Sequence, residues 1–266
     1  MFDKYNRHIN YLRVSVTDRC NLRCRYCMPE EGVQLLSHKE ILSYEEIFGA
    51  VKTGVSLGIE KIRITGGEPL IRKGITEFIK MVSGIQGIKD LTLTTNGVLL
   101  GEFAQPLADA GLHRVNISID TLDPSRYKEI TCLGNIENVL NGIQAARNAG
   151  LSPIKVNCVV SKHSQEKDAL DVAEFCMKNN LEVRFIRRMD LKNGDFSVVE
   201  GGTGGNCQQC NRLRLTANGM VKPCLFNDIE FSIRQLGAAE AIRQAVYYKP
   251  ECGSRNMHGS FYNIGG

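Results

Sequence analysis

The sequence predicts an α/β chain, a partial, open (βα)6 barrel followed by a small C-terminal iron-sulfur cluster domain. Three observations carry this reading. Short runs of alternating apolar and polar residues recur six times in the first 190 residues, most of them followed by apolar residues at helical spacing, the rhythm of parallel strands joined by helical crossovers. Eight such units usually need about 250 residues, so six leave the barrel incomplete. Gly201-Gly202-Thr203-Gly204-Gly205 then breaks the rhythm ahead of a second cysteine group and reads as a flexible or tightly turning connector. The division that follows is 1–190 for the barrel, 191–206 for the connector and 207–266 for the C-terminal domain.

Taken in order, Tyr11-Leu12-Arg13-Val14-Ser15-Val16-Thr17 alternates as a strand and runs into Cys20-Asn21-Leu22-Arg23-Cys24-Arg25-Tyr26-Cys27. Ser43-Tyr44-Glu45-Glu46 is a capping box opening a helix with Ile47, Val51 and Val55, stopped by Gly58. Lys61 to Thr65 is a second strand, ending in Gly66-Gly67-Glu68-Pro69. Leu91 to Thr95 ends in Asn96-Gly97, and its helix stops at Gly111. Arg114 to Ile119 ends at Asp120, and Asp123-Pro124 starts the next helix, ahead of a longer one carrying Ile136, Val139, Leu140 and Ile143 up to Gly150. Ile154 to Val160 is a fifth strand, with a helix around Leu170 to Met177, and Glu182 to Ile186 is a sixth. In parallel βα architectures working residues gather at the C-terminal ends of strands. That is where the cysteine loop, Gly66 to Glu68, Thr94 to Gly97, Ser118 with Asp120, and Arg187 to Asp190 all fall. Beyond the connector, Cys207-Gln208-Gln209-Cys210, a strand from Arg212, an Asn218-Gly219 turn and Cys224 read as a hairpin that returns a third cysteine beside the first two.

Composition narrows the function. The 266 residues are 42% hydrophobic and 23% charged, with a formal charge of +4. That balance fits a soluble globule, is too weak to imply nucleic acid, and suits an anionic small substrate. No uncharged run approaches a membrane span, and the N-terminal residues have no apolar core like that of a signal peptide, so the expectation is a cytoplasmic protein without a membrane partner. Ten cysteines in a reducing compartment argue against disulfides. Six form the groups Cys20/Cys24/Cys27 and Cys207/Cys210/Cys224, Cys158 and Cys176 read as core, and Cys132 and Cys252 are isolated. Three thiolates on one short loop can hold three corners of an iron-sulfur cube and leave its fourth iron open. A structural zinc loop is the alternative, although zinc knots normally close with four ligands and paired two-residue spacings. Arg13, Arg63 and Arg184 each sit inside an otherwise apolar strand, where a buried charge needs a partner.

The C-x3-C-x2-C loop at the tip of the first strand, together with Gly66-Gly67-Glu68-Pro69 at the tip of the second, resembles the radical S-adenosylmethionine enzymes. Arg13 to Cys20, Arg63 to Leu70, Thr94 to Gly97, Ile154 to Asn157, the second triad with Asn211-Arg212-Leu213-Arg214, and the terminal Gly265-Gly266 are similar to the GTP 3',8-cyclase family of molybdenum cofactor biosynthesis. The resemblance implies two 4Fe-4S clusters as cofactors, with Cys20, Cys24 and Cys27 as ligands of one and Cys207, Cys210 and Cys224 as ligands of the other, whose open iron binds the guanine. It implies S-adenosylmethionine against Tyr26, Gly66, Gly67, Glu68, Ser118 and Met189. GTP or a similar anionic nucleotide would be held by Arg13, Lys61, Arg63, Thr94, Lys155, Arg184, Arg212 and Arg214, with Arg212, Arg214, Gly265 and Gly266 catalytic. Arg212 and Arg214 alternate on one strand and so present both guanidinium groups to one face. An electron donor such as flavodoxin or ferredoxin is the expected partner, nucleic acid is not, and a homodimer is left open.

Three departures from the family pattern stand in the sequence. Only Leu191 to Asn206 separate the sixth strand from the second triad, where the family has several tens of residues. Arg187 occupies a usually acidic position two before Met189, and the tail after Lys249-Pro250 carries Cys252 near His258. They keep two alternatives open, a radical enzyme acting on another nucleotide or a peptide, and a non-catalytic metal-binding protein.

Overall fold

The computed structural model describes residues 1–28 and 33–258. Six strands alternate with helices in the expected order. β1 (Tyr11–Ser15) is followed by α1 (Tyr44–Ser56), β2 (Lys61–Thr65), α2 (Ile75–Ser83), β3 (Asp90–Thr95) and α3 (Leu100–Asp109). Then come β4 (Arg114–Ser118), α4 (Pro124–Thr131), α5 (Ile136–Asn148), β5 (Lys155–Val160), α6 (Lys167–Lys178) and β6 (Glu182–Arg187). Adjacent members of the six pair in parallel, as right-handed helical crossovers require. Side-chain period two divides each strand between two environments. Leu12 and Val14, Ile62 and Ile64, Leu91 and Leu93, and Val115 and Ile117 are fully buried or nearly so against Phe78, Leu107 and Val139 of the covering helices. Their alternates, Arg13, Arg63, Arg114 and Arg184 among them, line an interior cavity.

The helices begin where the caps predict. Ser43 Oγ accepts from Glu46 N at 3.2 Å while the Glu46 carboxylate accepts from Ser43 N at 2.7 Å. Asp123 accepts from Arg126 N at 2.8 Å with Pro124 at the first helical position. Gly97 turns β3 into α3 at φ +81°, and a Cβ there would lie 2.8 Å from Val139 Cγ1, so both conformation and close packing call for glycine.

The sheet does not stop at the sixth strand. β7 (Arg212–Leu215) pairs in parallel with β1 on its free side, and β8 (Met220–Lys222) and β9 (Phe231–Ser232) follow antiparallel. Among the described residues the order is β6-β5-β4-β3-β2-β1-β7-β8-β9. The connector turns tightly: Phe185 bridges Glu200, Asp190 bridges Asp195, Val199 N donates to Gly204 O at 2.7 Å, and Phe196 stacks on Phe226 at 4.3 Å. Two helices without a sequence reading follow, α7 (Ile233–Leu236) and α8 (Ala238–Tyr247). Ala241, Ile242, Ala245 and Val246 of α8 are buried, and Ile242 packs on Gly54 of α1. No helix among the described residues is long and apolar enough to cross a membrane.

Candidate active site

Alternate residues of β1 to β7 meet in a cavity of about 500 Å³ on the inner side of the sheet, within the usual range for small-molecule sites. Its floor is cationic because of strand register. Arg214, Arg13, Arg63, Thr92 and Arg114 are consecutive partners across five strands, so four guanidinium groups start from one transverse row with strands about 4.8 Å apart. Arg212, Tyr11, Lys61 and Asp90 form the next row. Burial, reinforced by Arg214 and Arg63, pulls Arg13 well below its usual value. Burial and then Arg212 pull Arg214 down to about 10. Arg114 is answered by Asp90 at 2.5 and 2.9 Å, but the Arg63 Nε, Arg184 Nε and Tyr11 hydroxyl are buried without a hydrogen-bond partner among the described residues. Crowded cations with orphaned donors mark a site for a polyanion, since a buried charge needs a counter-charge.

The first cysteine triad lies beyond the C-terminal end of β1, half-buried. The turn after β2 holds its base. Gly67 N donates to Thr17 O at 2.7 Å, Glu68 N donates to Arg19 O at 2.8 Å, and a Cβ on Gly67 would stand 2.2 Å from Arg19 O. Asn96 Nδ2 donates to Asn21 Oδ1 at 2.8 Å and stands 3.8 Å from Cys20 Sγ. Burial, then the neighbouring Cys20, pushes Cys27 up to about 12, and burial with Cys27, Asp120 and Cys20 pushes Cys24 up as well. Crowded thiols of this kind ionise when a metal centre supplies positive charge, so the donor set fits an iron-sulfur cluster. The Tyr26 hydroxyl hydrogen-bonds Asp120, whose carboxyl burial pushes up to about 6, while Asp120 Oδ1 accepts from Val159 N at 2.8 Å.

The second triad precedes and follows β7 and β8, at the opposite end of the parallel strands. The five residues of β1 between the two triads span about 17 Å, with the arginine row midway. Burial, which would raise Cys210, is outweighed by the Lys249 ammonium and Arg212, so Cys210 is lowered. Lys249, only 1% exposed, donates to Arg212 O at 2.7 Å and Pro223 O at 2.6 Å. Phe226 N donates to Cys224 Sγ at 3.4 Å. Among the described residues no three metal-ligating side chains converge closely enough for a single ion. Three half-buried thiols beside a buried ammonium are a donor set that fits an iron-sulfur cluster.

Most residues expected at the site line this cavity: the six cysteines, Tyr26, Gly66, Gly67, Ser118, Met189, Arg13, Lys61, Arg63, Thr94, Arg184, Arg212 and Arg214. Glu68, expected against S-adenosylmethionine, is not among the cavity-lining residues. It is 1% exposed and turned inward, Oε1 accepting from Leu70 N at 3.0 Å and Thr95 Oγ1 at 2.8 Å, Oε2 from Asn96 N at 2.7 Å. It ties the tips of β2 and β3 together, because a buried carboxylate spends its lone pairs on whatever donors burial leaves it. Lys155, expected at the nucleotide, is likewise placed apart. It ion-pairs with Glu182, its register partner, and is not among the cavity-lining residues. Gly265 and Gly266 lie outside the described residues. Arg187 lines the cavity and pairs with Asp195 of the connector. Arg114 and Tyr11 line the cavity without having been singled out, and Asn96 lines it as a member of the Thr94 to Gly97 motif. For Arg114 the signal was present, since it shares a strand face with Ser118 at even spacing.

The family model described as the radical SAM superfamily matches residues 14–176. The chain is 43% identical over 305 aligned positions, 94% of this chain and 95% of the relative, to a protein named GTP 3',8-cyclase from Thermodesulfovibrio yellowstonii. A protein of the same name from Geobacter sulfurreducens is 39% identical over 324 positions, covering 100% of this chain and 99% of the relative. Both alignments run longer than the 266 residues of the chain, so these relatives carry residues with no counterpart here. Among solved structures, Streptococcus suis SuiB bound to S-adenosylmethionine superposes with a TM-score of 0.67 at 16% identity over 93% of this chain and 66% of SuiB. The anSMEcpe protein with bound AdoMet gives 0.66 at 15% over 91% and 81%. At such identities these two matches speak for the fold alone.

Proposed function

Because the chain belongs to the radical SAM superfamily and, within it, to the GTP 3',8-cyclase family, we propose that it converts GTP to the 3',8-cyclised product that opens molybdenum cofactor biosynthesis. When bound, the reduced first cluster and S-adenosylmethionine supply a 5'-deoxyadenosyl radical that removes a ribose hydrogen, after which the ribose carbon closes onto guanine C8. Cys20, Cys24 and Cys27 would hold the first cluster and Cys207, Cys210 and Cys224 the second. Gly66, Gly67, Tyr26, Ser118 and Met189 would form the S-adenosylmethionine end of the cavity. Arg13, Arg63, Arg184, Arg212 and Arg214 would hold the triphosphate, whose roughly four negative charges match a row of planar forks. The electron would come from a small redox protein such as flavodoxin or ferredoxin.

The observation that carries this reading is the register row of four arginines lying between two cysteine triads at opposite strand ends. It supports a multiply charged substrate spanning the space between two clusters. A second reading, another nucleotide as substrate, is favoured by the residues the relatives carry and this chain lacks. The test is anaerobic. Reconstitution should load about eight irons per chain, four per cube, and 5'-deoxyadenosine should form from S-adenosylmethionine and reductant only when GTP is present. Iron saturating near half that value, or 5'-deoxyadenosine indifferent to GTP, rejects the cyclase reading.

A further inference from the structure

Read along the sequence, Cys252 is an isolated thiol in an altered tail. The fold carries it to the second triad, where its Sγ stands 3.3 Å from Cys207 Sγ. We propose that Cys252 supplies a fourth thiolate to the cluster held by Cys207, Cys210 and Cys224, so that the chain itself closes the fourth iron in the substrate-free protein. This rests on the reading of that triad as a cluster site.

The position of Cys252 is built rather than accidental, because the tail is fastened on both sides of it. Upstream, Arg7 donates to Pro250 O at 2.6 Å and to Glu251 O at 2.9 Å, and the same guanidinium donates to Cys207 O at 2.7 Å. One buried side chain thus sets the tail and the first ligand against each other. Downstream, Ser254 N donates to Phe226 O at 2.9 Å, and Asn256 reaches Leu191 O at 2.7 Å and Leu225 O at 2.8 Å. Between these anchors Gly253 lies so close to the triad that a Cβ there would be 3.3 Å from Cys224 Sγ. The segment therefore crosses the outer side of two ligands.

Charge and freedom of movement agree with this role. A fourth thiolate adds a negative charge, and the buried Lys249 ammonium, together with Arg212 and Arg214, supplies positive charge beside the triad. Thiolates on separate corner irons stand farther apart than 3.3 Å, so cluster assembly must part Cys252 from Cys207. The exposed Cys252 side chain can do so by rotation about one bond. A substrate atom would reach that iron only by displacing a thiolate, a requirement that a three-cysteine site does not impose.

The test isolates the C-terminal cluster in the full-length chain carrying Cys20→Ala, Cys24→Ala and Cys27→Ala, reconstituted anaerobically with and without Cys252→Ala. The proposal expects different Mössbauer and EPR signatures for the two. It also expects iron loss to EDTA to quicken by at least the roughly tenfold that loss of an outer-shell partner brings, with Cys252→Ser intermediate. Superimposable spectra and equal loss rates, or a Cys207–Cys252 disulfide in the iron-loaded chain, overturn it. A background chain that takes up no iron rejects the cluster reading of the triad itself, and this proposal falls with it. Should that background misfold, the pair with the first triad intact shows a second iron-release phase that carries the same comparison.

Discussion

Replacing Arg63 by methionine should weaken nucleotide binding without destabilising the nucleotide-free protein. Among the described residues the Arg63 Nε is buried without a hydrogen-bond partner, and burial together with Arg184, Arg114 and Arg212 disfavours the charge, only Tyr11 easing it. Removing an unsatisfied buried donor relieves about 1–3 kcal/mol. Against this, the guanidinium sits over the Tyr11 ring at 5.4 Å from its centroid, a contact worth about 0.5–1 kcal/mol, and methionine keeps most of the apolar stem. The nucleotide-free protein should therefore gain up to about 2 kcal/mol. The bound state loses a hydrogen bond to a charged phosphate, about 1.5–3 kcal/mol, which is roughly ten- to a hundred-fold in Kd. Anaerobic calorimetry with GTP and thermal unfolding without it read the two halves separately. A Kd within about threefold of the native chain, or a Tm lower by more than about 4 °C, equivalent to roughly 1–2 kcal/mol at this size, would refute the reasoning, because Arg63 would then be serving the fold.

Three further outcomes follow from the same geometry. Glu68 is pushed up to about 7 by burial against a usual value of 4.5, so the folded state binds the proton more tightly and stability falls as pH rises from about 4.5 to 7, by about 3 kcal/mol. Denaturant unfolding of the cluster-free chain at pH 5 and pH 8 should show that slope, and Glu68→Gln should reduce it, leaving the share of Asp120, which burial raises to about 6. Gly67→Ala places a methyl 2.2 Å from Arg19 O and should displace the base of the first cysteine loop, cutting iron uptake to about four per chain while far-UV circular dichroism is preserved. Arg7→Ala leaves Asp3 buried without its partner and unties three carbonyls, so unfolding experiments should register a loss of about 3–5 kcal/mol, and the second triad should release iron before the first.

Much of the barrel was legible because its signals are local. Alternation marked six strands, and Ser43 to Glu46 and Asp123-Pro124 marked helix starts through side-chain caps that the structure contains. Two of the helices that escaped notice lack that signal. α2 starts at Gly74 and α8 at Gly237, neither of which has a side chain to cap with. The parallel pairing of β7 with β1 joins segments some two hundred residues apart, and no local pattern encodes which sheet edge a late strand will find. The same non-locality hid the arginine row. Arg13 and Arg63 were each readable as charges within apolar strands, but their alignment with Arg114 and Arg214 depends on register across four strand pairs. The inward carboxylate of Glu68 was not legible for a different reason: a motif names the residues at a turn without saying which way each side chain points.

Electrostatics along the strands also sorts the two small molecules a radical SAM cyclase must hold. The end that carries the first triad has Asp120 and Glu68 buried beside it; Tyr26 is raised by burial and then by Asp120, and Cys20 by burial and then by Glu68, so further negative charge is disfavoured there. A ligand with a sulfonium and an amine is suited to that end, and a triphosphate is repelled from it. The middle of the cavity has the opposite bias, with Arg13, Arg63 and Arg214 each pulled down by burial and mostly cationic neighbours. β1 joins the two regions within five residues, since Arg13 belongs to the cationic row and the chain reaches Cys20 soon after the strand ends. Under the proposed assignment of the two sites, a polyanion drawn to the arginine row would thereby be kept at one strand length from the first triad or nearer. Order of charge along one strand, rather than any single contact, is what holds the cation and the anion in adjacent places within one cavity.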